Sequence, residues 1–347
     1  MTRQSWVRWL KMPWWALQLL TSAKSFRDNP IIGSRRLNAM GLHVARARIA
    51  HMLARSRRKR LAYLLSAEDR AQFDAQGYVQ IPDFLPRAAF AKLRAAIFSR
   101  LSPAREMVQG DTITRRIAID QTMLRDIPAL GQLLQSDRWR GLMRYVASFD
   151  VEPLYYIQTI LAHHVDASPD PQTALHADTF HPTMKAWFFL TDVAGDEGPL
   201  TYVAGSHRWT RERGNWEKQR SLLAPDGIDL LSARGSMRIE TQELPAIGLP
   251  PATVFAVSAN TLVVADTCGF HARGPSAHPS LRIEIWAYSR RSPFLPWTGG
   301  DPLSLPWLAP RRIGWMWAMH DRWKKYIGQA WQDVGVKRPD SADDTHS

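Results

Sequence analysis

The 347-residue chain has a single cysteine, Cys268, so neither an internal disulfide nor a Cys-rich zinc site is open to it. That residue fits a small core hydrophobe, and a reducing compartment suits it. Long apolar runs are lacking too. The best of them, Met12 to Leu20, has about half the roughly 20 residues that a bilayer span needs. Arg3, Arg8 and Lys11 precede it in the manner of a signal peptide, but no small-x-small cleavage site follows. There is no internal repeat and no low-complexity tract. Acidic residues are nearly missing from the first 60 positions, which hold 14 Lys or Arg against one acid, Asp28. The remaining chain balances 31 basic against 31 acidic residues, so the net charge of +13 belongs to the N-terminal arm. Any contact with a polyanion is therefore assigned to the arm, and the body is electrically neutral.

The 45% hydrophobic content is enough for one large folded domain with added elements. The arm, residues 1–65, carries Trp6, Trp9, Trp14 and Trp15 among cations. Residues 35–60 read as a basic helix with Leu37, Met40, Val44, Ile49, Met52 and Leu53. Tryptophan and cationic side chains suit an anionic membrane surface, reached through residues 1–60, with packing on the body as the alternative. Nucleic acid is disfavoured, since no groove-reading motif is present. These features predict a cytoplasmic protein, peripheral on the inner face of a membrane; an Arg-rich, acid-poor start also suits mitochondrial targeting.

Ser66 and Asp69 predict a helix start, and the helix through Phe73 should end near Gly77. Tyr78–Ile81 reads as a strand and 87–100 as a helix. From about residue 151 the pattern turns to short strands: 154–162, 186–192, 200–203, 253–257, 261–265 and 282–288. Regular short strands with Gly/Pro turns predict a mainly β sandwich or barrel with flanking helices. The charged stretch 204–250 reads as an insertion or lid that supplies substrate-pocket residues together with the N-terminal helices. Residues 311–347 read as a Trp-rich helix and a polar tail, leaving 66–310 as the central domain. The six tryptophans Trp297, Trp307, Trp315, Trp317, Trp323 and Trp331 form either a second interfacial surface or ordinary packing against the body.

The chemistry centres on His176-Ala177-Asp178. Residues i and i+2 on an extended strand point to one side, so on a strand here imidazole and carboxylate can reach one metal ion. His271, placed after the apolar strand 261–265, is the candidate third ligand. Two histidines and one carboxylate form a facial triad that leaves positions on ferrous iron for a cosubstrate and O₂. Arg282 lies 11 residues beyond His271 and suits recognition of a carboxylate. His163, His164, His181 and His278 lack such spacing and read as structural.

With these residues in place, the sequence resembles the phytanoyl-CoA dioxygenase family over roughly residues 66–292. The likeness runs from Gly77-Tyr78-Val79 through the H-x-D, "DEGPLTYVAGSH" and "FHARGPSAHPSLR". It implies a double-stranded β-helix (jelly-roll, cupin-like) core with N- and C-terminal helices. It implies Fe(II) bound by His176, Asp178 and His271, with 2-oxoglutarate and O₂ as cosubstrates. It assigns the 2-oxoglutarate carboxylate to Arg282, a cosubstrate contact to Gln158 and an aromatic lining role to Trp187. His207 would support the family turn without binding metal. The implied activity is hydroxylation of a small or lipid-like substrate with release of succinate and CO₂. Halogenation is disfavoured, because halide-binding relatives lack the carboxylate that Asp178 provides. Ala204, Asn260 and Arg273 depart from the family pattern; Arg273 would narrow the pocket or meet an anionic substrate. Two other functions are weighed: a nucleic-acid demethylase of the same broad fold, prompted by the basic arm, and a non-catalytic binding or scaffold protein. Arg282 lacks the R-x-N-x-T-x-R context of the first, and no ligand is lost as the second requires.

Overall fold

The computed structural model describes residues 3–227 and 229–341. Its centre is a pair of antiparallel sheets. The strands are β1 (Tyr78–Ile81), β2 (Ser102–Gln109), β3 (Thr112–Ala118), β4 (Leu154–Ala162), β5 (Met184–Phe189), β6 (Leu200–Tyr202), β7 (Thr253–Val254), β8 (Leu262–Asp266), β9 (His271–Arg273), β10 (Ser280–Ser289) and β11 (Gln332–Lys337). The large sheet runs β1-β8-β5-β10-β4-β3-β2-β11 and the small one β7-β6-β9. This is a double-stranded β-helix, mainly β with flanking helices.

Strand alternation divides the core. On β10, Ile283, Ile285 and Ala287 point to the outer layer and join Ala186 and Phe188 of β5 in one apolar cluster. Arg282, Glu284 and Trp286 point the other way, into the space between the sheets, where Trp286 and Trp187 lie in register. The expected strands at 78–81, 154–162 and 200–203 are present to within a residue. The strand expected at 186–192 starts earlier, at Met184, and that expected at 253–257 shrinks to two residues.

The helices are α1 (Arg3–Gln18), α2 (Arg35–Ala39), α3 (Leu42–Arg60), α4 (Ala67–Gln76), α5 (Arg87–Phe98), α6 (Gln121–Asp126), α7 (Pro128–Gln135), α8 (Asp137–Ala147), α9 (Arg211–Leu223), α10 (Leu230–Ala233) and α11 (Arg312–Ile327). Helix α4 begins as expected: Ser66 accepts from the Asp69 N–H, and Gly77 ends the helix at φ +87°. The outer cluster is closed by Phe73, Leu93, Leu130, Trp139 and Leu142 from α4, α5, α7 and α8.

Three expectations need correction. Residues 204–250 are no lid over the central cavity. Helix α9 buries Trp216 in a cluster with Phe26 and Phe270, and sets Glu217 between Arg213 (2.8 Å) and His43 of α3 (2.6 Å). Residues beyond α11 are not simply a tail, because β11 pairs with β2 at the sheet edge. Residues 342–347 of the expected tail lie outside the described residues. Strands β2 and β3 also went unread in the sequence. Their charged residues are buried and mutually paired, as Arg115 and Glu106 are at 2.6 Å.

Candidate metal and cosubstrate site

The segment His176–Asp178 is extended but belongs to no strand of either sheet, unlike the strand placement expected. It is held by backbone bonds to three separate pieces of chain. His176 exchanges both bonds with His271, at 3.0 Å each. The Ala177 N–H donates to Met237 O and the Asp178 N–H to Thr267 O, both at 2.9 Å. His176 and His271 are thus direct cross-strand neighbours, with ring centroids 4.6 Å apart. The third ligand arrives beside the first through pairing, across 95 residues of sequence.

The three side chains converge. Asp178 Oδ1 lies 3.8 Å from His176 Nε2 and 3.7 Å from His271 Nε2. All three ligand atoms fall within 4.8 Å of one another. Nδ1 of His176 donates to Ala174 O at 2.8 Å, and Nδ1 of His271 donates to Gly269 O at 3.0 Å. These bonds set the tautomer and turn both Nε2 lone pairs inward. Burial, then the neighbouring His271, brings His176 down to about 3, and burial lowers His271 as well, so both rings are neutral ligands. Burial would raise the Asp178 carboxyl, but the Lys185 ammonium leads the groups that outweigh it and hold it ionised. Nε2 of His271 is buried without a hydrogen-bond partner among the described residues. A divalent ion answers that orphaned atom, so the residues fit the group.

The outer face of Asp178 is gripped by cations. Lys185 Nζ sits 2.7 Å from Oδ2, and Lys24 Nζ bonds the Asp178 carbonyl. Burial, with Arg290, Lys185 and Arg238 adding to it, lowers Lys24 to about 8.

Arg282, Gln158 and Trp187 all line the same cavity of about 440 Å³ as the triad. A polar row crosses three strands of the large sheet. Arg116 Nε donates to Gln158 Oε1 (2.9 Å), and Gln158 Nε2 donates to Glu284 Oε1 (2.7 Å). Glu284 Oε2 in turn faces Arg282 Nε at 3.0 Å. Arg282 Nη1 also donates to Gly198 O at 2.6 Å. Its fork is therefore fixed before any carboxylate arrives. Arg273 does not reach into the cavity as a free cation, because it pairs with buried Asp170 at 2.6 Å. Among the described residues none of 204–250 lines the cavity, so those expected pocket contacts are absent there; Lys24 and Met316 line it from outside the sheets. Sequence reasoning passed over Glu284, Lys185, Lys24 and Arg116. The alternation Arg282-x-Glu284-x-Trp286 was a signal for the first of these, since it puts all three on one strand face.

The turn that delivers His271 is braced from the arm. Asp266 is fully buried and accepts from the Thr183 N–H (3.0 Å) and the Cys268 N–H (3.2 Å). Arg58 of α3 supplies its countercharge at 2.7 Å. Tyr202 donates to the Asp266 carbonyl at 2.7 Å, and a Cβ on Gly269 would sit 2.0 Å from that hydroxyl. Cys268 and His207 are buried in this region, as core and turn residues respectively.

Residues 73–234 match the family described as phytanoyl-CoA dioxygenase (PhyH). The matched span takes in His176 and Asp178 and stops short of His271 and Arg282. No curated protein matches the chain. Among solved structures, the non-heme alpha ketoglutarate dependent epimerase SnoN from nogalamycin biosynthesis is similar at 20% identity, covering 65% of this chain and 82% of that one, with a TM-score of 0.43. The carbocyclase SnoK of the same biosynthesis is similar at 20% identity, 66% and 84% coverage and a TM-score of 0.40. HygX from Streptomyces hygroscopicus, with nickel, 2-oxoglutarate and hygromycin B bound, is similar at 18% identity, 65% and 86% coverage and a TM-score of 0.37. Likeness at this level says nothing of the reaction this chain performs.

Proposed function

We propose, on the premise that residues 73–234 match the phytanoyl-CoA dioxygenase family, that this chain hydroxylates an amphipathic, lipid-like substrate. That it is an iron- and 2-oxoglutarate-dependent enzyme of the oxygenase type follows from the family match together with the triad. The observation that carries hydroxylation is the complete triad: Asp178 keeps the carboxylate beside both inward-facing Nε2 atoms. Iron and 2-oxoglutarate, when bound, supply O₂ activation coupled to decarboxylation. The overall balance is substrate C–H plus O₂ plus 2-oxoglutarate giving C–OH, succinate and CO₂.

The chain's own residues bind and orient. His176, Asp178 and His271 would hold the ion, and a set of only three protein ligands would leave it able to take the reactants. Arg282 receives the far carboxylate of the cosubstrate, kept in place by Glu284 and, through it, Gln158. Trp187 and Leu200 wall the cavity and keep water from the reacting centre.

The lipid-like part rests on what surrounds the cavity. Trp14, Leu17 and Leu20, in and just after α1, are exposed. So are Trp315, Met319, Trp323 and Tyr326 of α11. Both helices lead to the cavity, one through Lys24 and the other through Met316. Among the described residues no helix is long and apolar enough to cross a membrane. Contact with an anionic membrane surface would bring lipid to the opening.

Succinate release with Fe(II), 2-oxoglutarate and a lipid panel, run under ¹⁸O₂, tests the reaction. Wild type should release succinate and place one labelled oxygen in product, and Asp178→Ala should do neither. Absence of both 2-oxoglutarate consumption and iron binding in wild type sinks the oxygenase assignment, whereas consumption without labelled product sinks hydroxylation. Co-sedimentation with anionic vesicles should be strong for wild type and at least five-fold weaker for a Trp14→Ser, Leu17→Ser, Leu20→Ser variant. Equal binding by both, or none by either, removes the membrane contact.

A further inference from the structure

The cavity is lined by six basic side chains and a single carboxylate, Asp178. Two of the cations are already matched by carboxylates behind the lining, Arg273 by Asp170 and Arg282 by Glu284. Of the others, Arg116 bonds Gln158 and lies over Trp286, while Lys24, Lys185 and Arg290 gather at the end away from Arg282. Arg282 and Arg290 share one face of the β10 register but are eight residues apart, roughly 26 Å at about 3.3 Å per residue. One cation therefore cannot do the other's work. Around Arg290 stand Lys24 and Lys185, with the Tyr288 hydroxyl beside them. Arg290 Nη2 is anchored on Ser22 O at 2.9 Å, and Lys24 on the Asp178 carbonyl. Three cations at this end face only Asp178, which is the metal's ligand. Between the two cationic ends Trp286 and Tyr288 stack at 5.6 Å with planes 10° apart, and Arg116 lies over Trp286 at 4.1 Å, which leaves the half-buried Tyr288 ring as the open part of an aromatic floor.

We infer that Lys24, Lys185 and Arg290 form a second anion site, which takes the phosphate of a phosphate-monoester substrate whose carbon framework lies against Tyr288. Three cations against one carboxylate leave two charges to be met, and a phosphate monoester carries close to two negative charges at neutral pH. Two ammonium groups and one guanidinium offer the many donors that three phosphate oxygens accept. The aromatic floor takes the apolar remainder. The inference deepens the oxygenase assignment and depends on it for giving the Arg282 end to 2-oxoglutarate. The phosphate could belong to a soluble metabolite or to a lipid headgroup; the chemistry recognised is the same.

The test is calorimetric binding to the full chain loaded with Mn(II) and 2-oxoglutarate, a complex that does not turn over. The probes are phenyl phosphate against phenol, and dihexanoyl phosphatidic acid against dihexanoylglycerol. Phenyl phosphate should bind at least ten-fold tighter than phenol. Arg290→Gln, at an exposed position, should reduce that preference at least five-fold while melting temperature and 2-oxoglutarate affinity stay unchanged. Tighter binding of the phosphatidic acid than of phenyl phosphate assigns the site to a lipid headgroup, and the reverse to a soluble ester; either supports the site. Equal binding of phenol and phenyl phosphate overturns it. So does a phosphate preference untouched by Arg290→Gln, or phosphate that competes with 2-oxoglutarate and depends on Arg282. Intact phosphate preference in a chain that never consumes 2-oxoglutarate sinks the oxygenase assignment alone.

Discussion

Arg282 and Glu284 are both cut off from solvent, and each is the other's countercharge. Arg282→Gln therefore has two separable effects. It removes the anchor for the cosubstrate carboxylate, so KM for 2-oxoglutarate should rise more than ten-fold. It also leaves a buried carboxylate without its partner, which costs about 3 kcal/mol of stability. The double variant Arg282→Gln, Glu284→Gln should recover most of that stability and none of the cosubstrate affinity. Urea unfolding and succinate kinetics on the four proteins of the cycle check this. Gly269 gives a sharper steric case. Gly269→Ala would drive a methyl into the Tyr202 hydroxyl, and the turn before His271 must shift. Metal affinity should fall at least ten-fold by Mn(II) titration, with far-UV circular dichroism unchanged. At this scale His176 and Asp178 were legible because i and i+2 spacing is a local signal, whereas the roles of His271 and Arg282 leaned on the family resemblance. Lys24 was not: it meets Asp178 across 154 residues. Glu284 acquires its role only through register with Gln158.

Among elements, α3 shows how composition can mislead. Its arginines suggested a surface for anions, but Arg46 and Arg57 are buried. Arg46 donates to the carbonyls of Leu19, Thr21 and Ala23, just past α1, while Arg57 donates to those of Ser148, Pro293 and Leu295. Guanidinium groups here cap carbonyls that lack other partners. Arg58→Ala should cost about 3 kcal/mol, since Asp266 loses its countercharge, and should weaken metal binding through the turn to His271. Thermal melts with and without Mn(II) read both effects. The docking of α9 carries a pH signature. Burial would raise Glu217, but Arg213 and His43 outweigh it and bring it to about 2 from 4.5. A depressed carboxylate contributes stability that is full above the unfolded value and lost as pH falls through the folded one. The stability gap between wild type and Glu217→Gln should be constant above about pH 5, at roughly 3 kcal/mol at most, and close between pH 4.5 and 2. A gap that stays constant down to pH 2 contradicts the pairing. Strands with clean alternation, such as β4 and β10, were legible. Strands β2 and β3 were not, because the buried Arg115–Glu106 pair disguises their inward faces, and β11 was not, because it is a short, mostly exposed edge strand.

For the whole molecule, the charge asymmetry was legible and its use was not. Removing residues 1–60 should yield insoluble protein, because Asp266, Glu217 and the carbonyls at 293–295 all lose partners in α3. Removing residues 1–18 alone should leave a soluble chain with wild-type far-UV circular dichroism. Size-exclusion chromatography distinguishes the two, and a soluble, folded fragment starting at Leu61 contradicts the bracing role. The double-stranded β-helix was reached through family resemblance; short strands and turns alone read only as a sandwich or barrel, since topology depends on long-range pairing.

The reach of Arg57 and Arg58 also sets an order in time. Their partners lie 208 to 238 residues further along the chain at Asp266 and Leu295, and at 91 residues in the nearer case of Ser148. Loops of that length close late and slowly. During synthesis the arginine- and tryptophan-rich arm emerges first and waits, uncovered, until the strands around His271 exist to receive it. Newly made chains should thus depend on chaperones until Leu295 has been made.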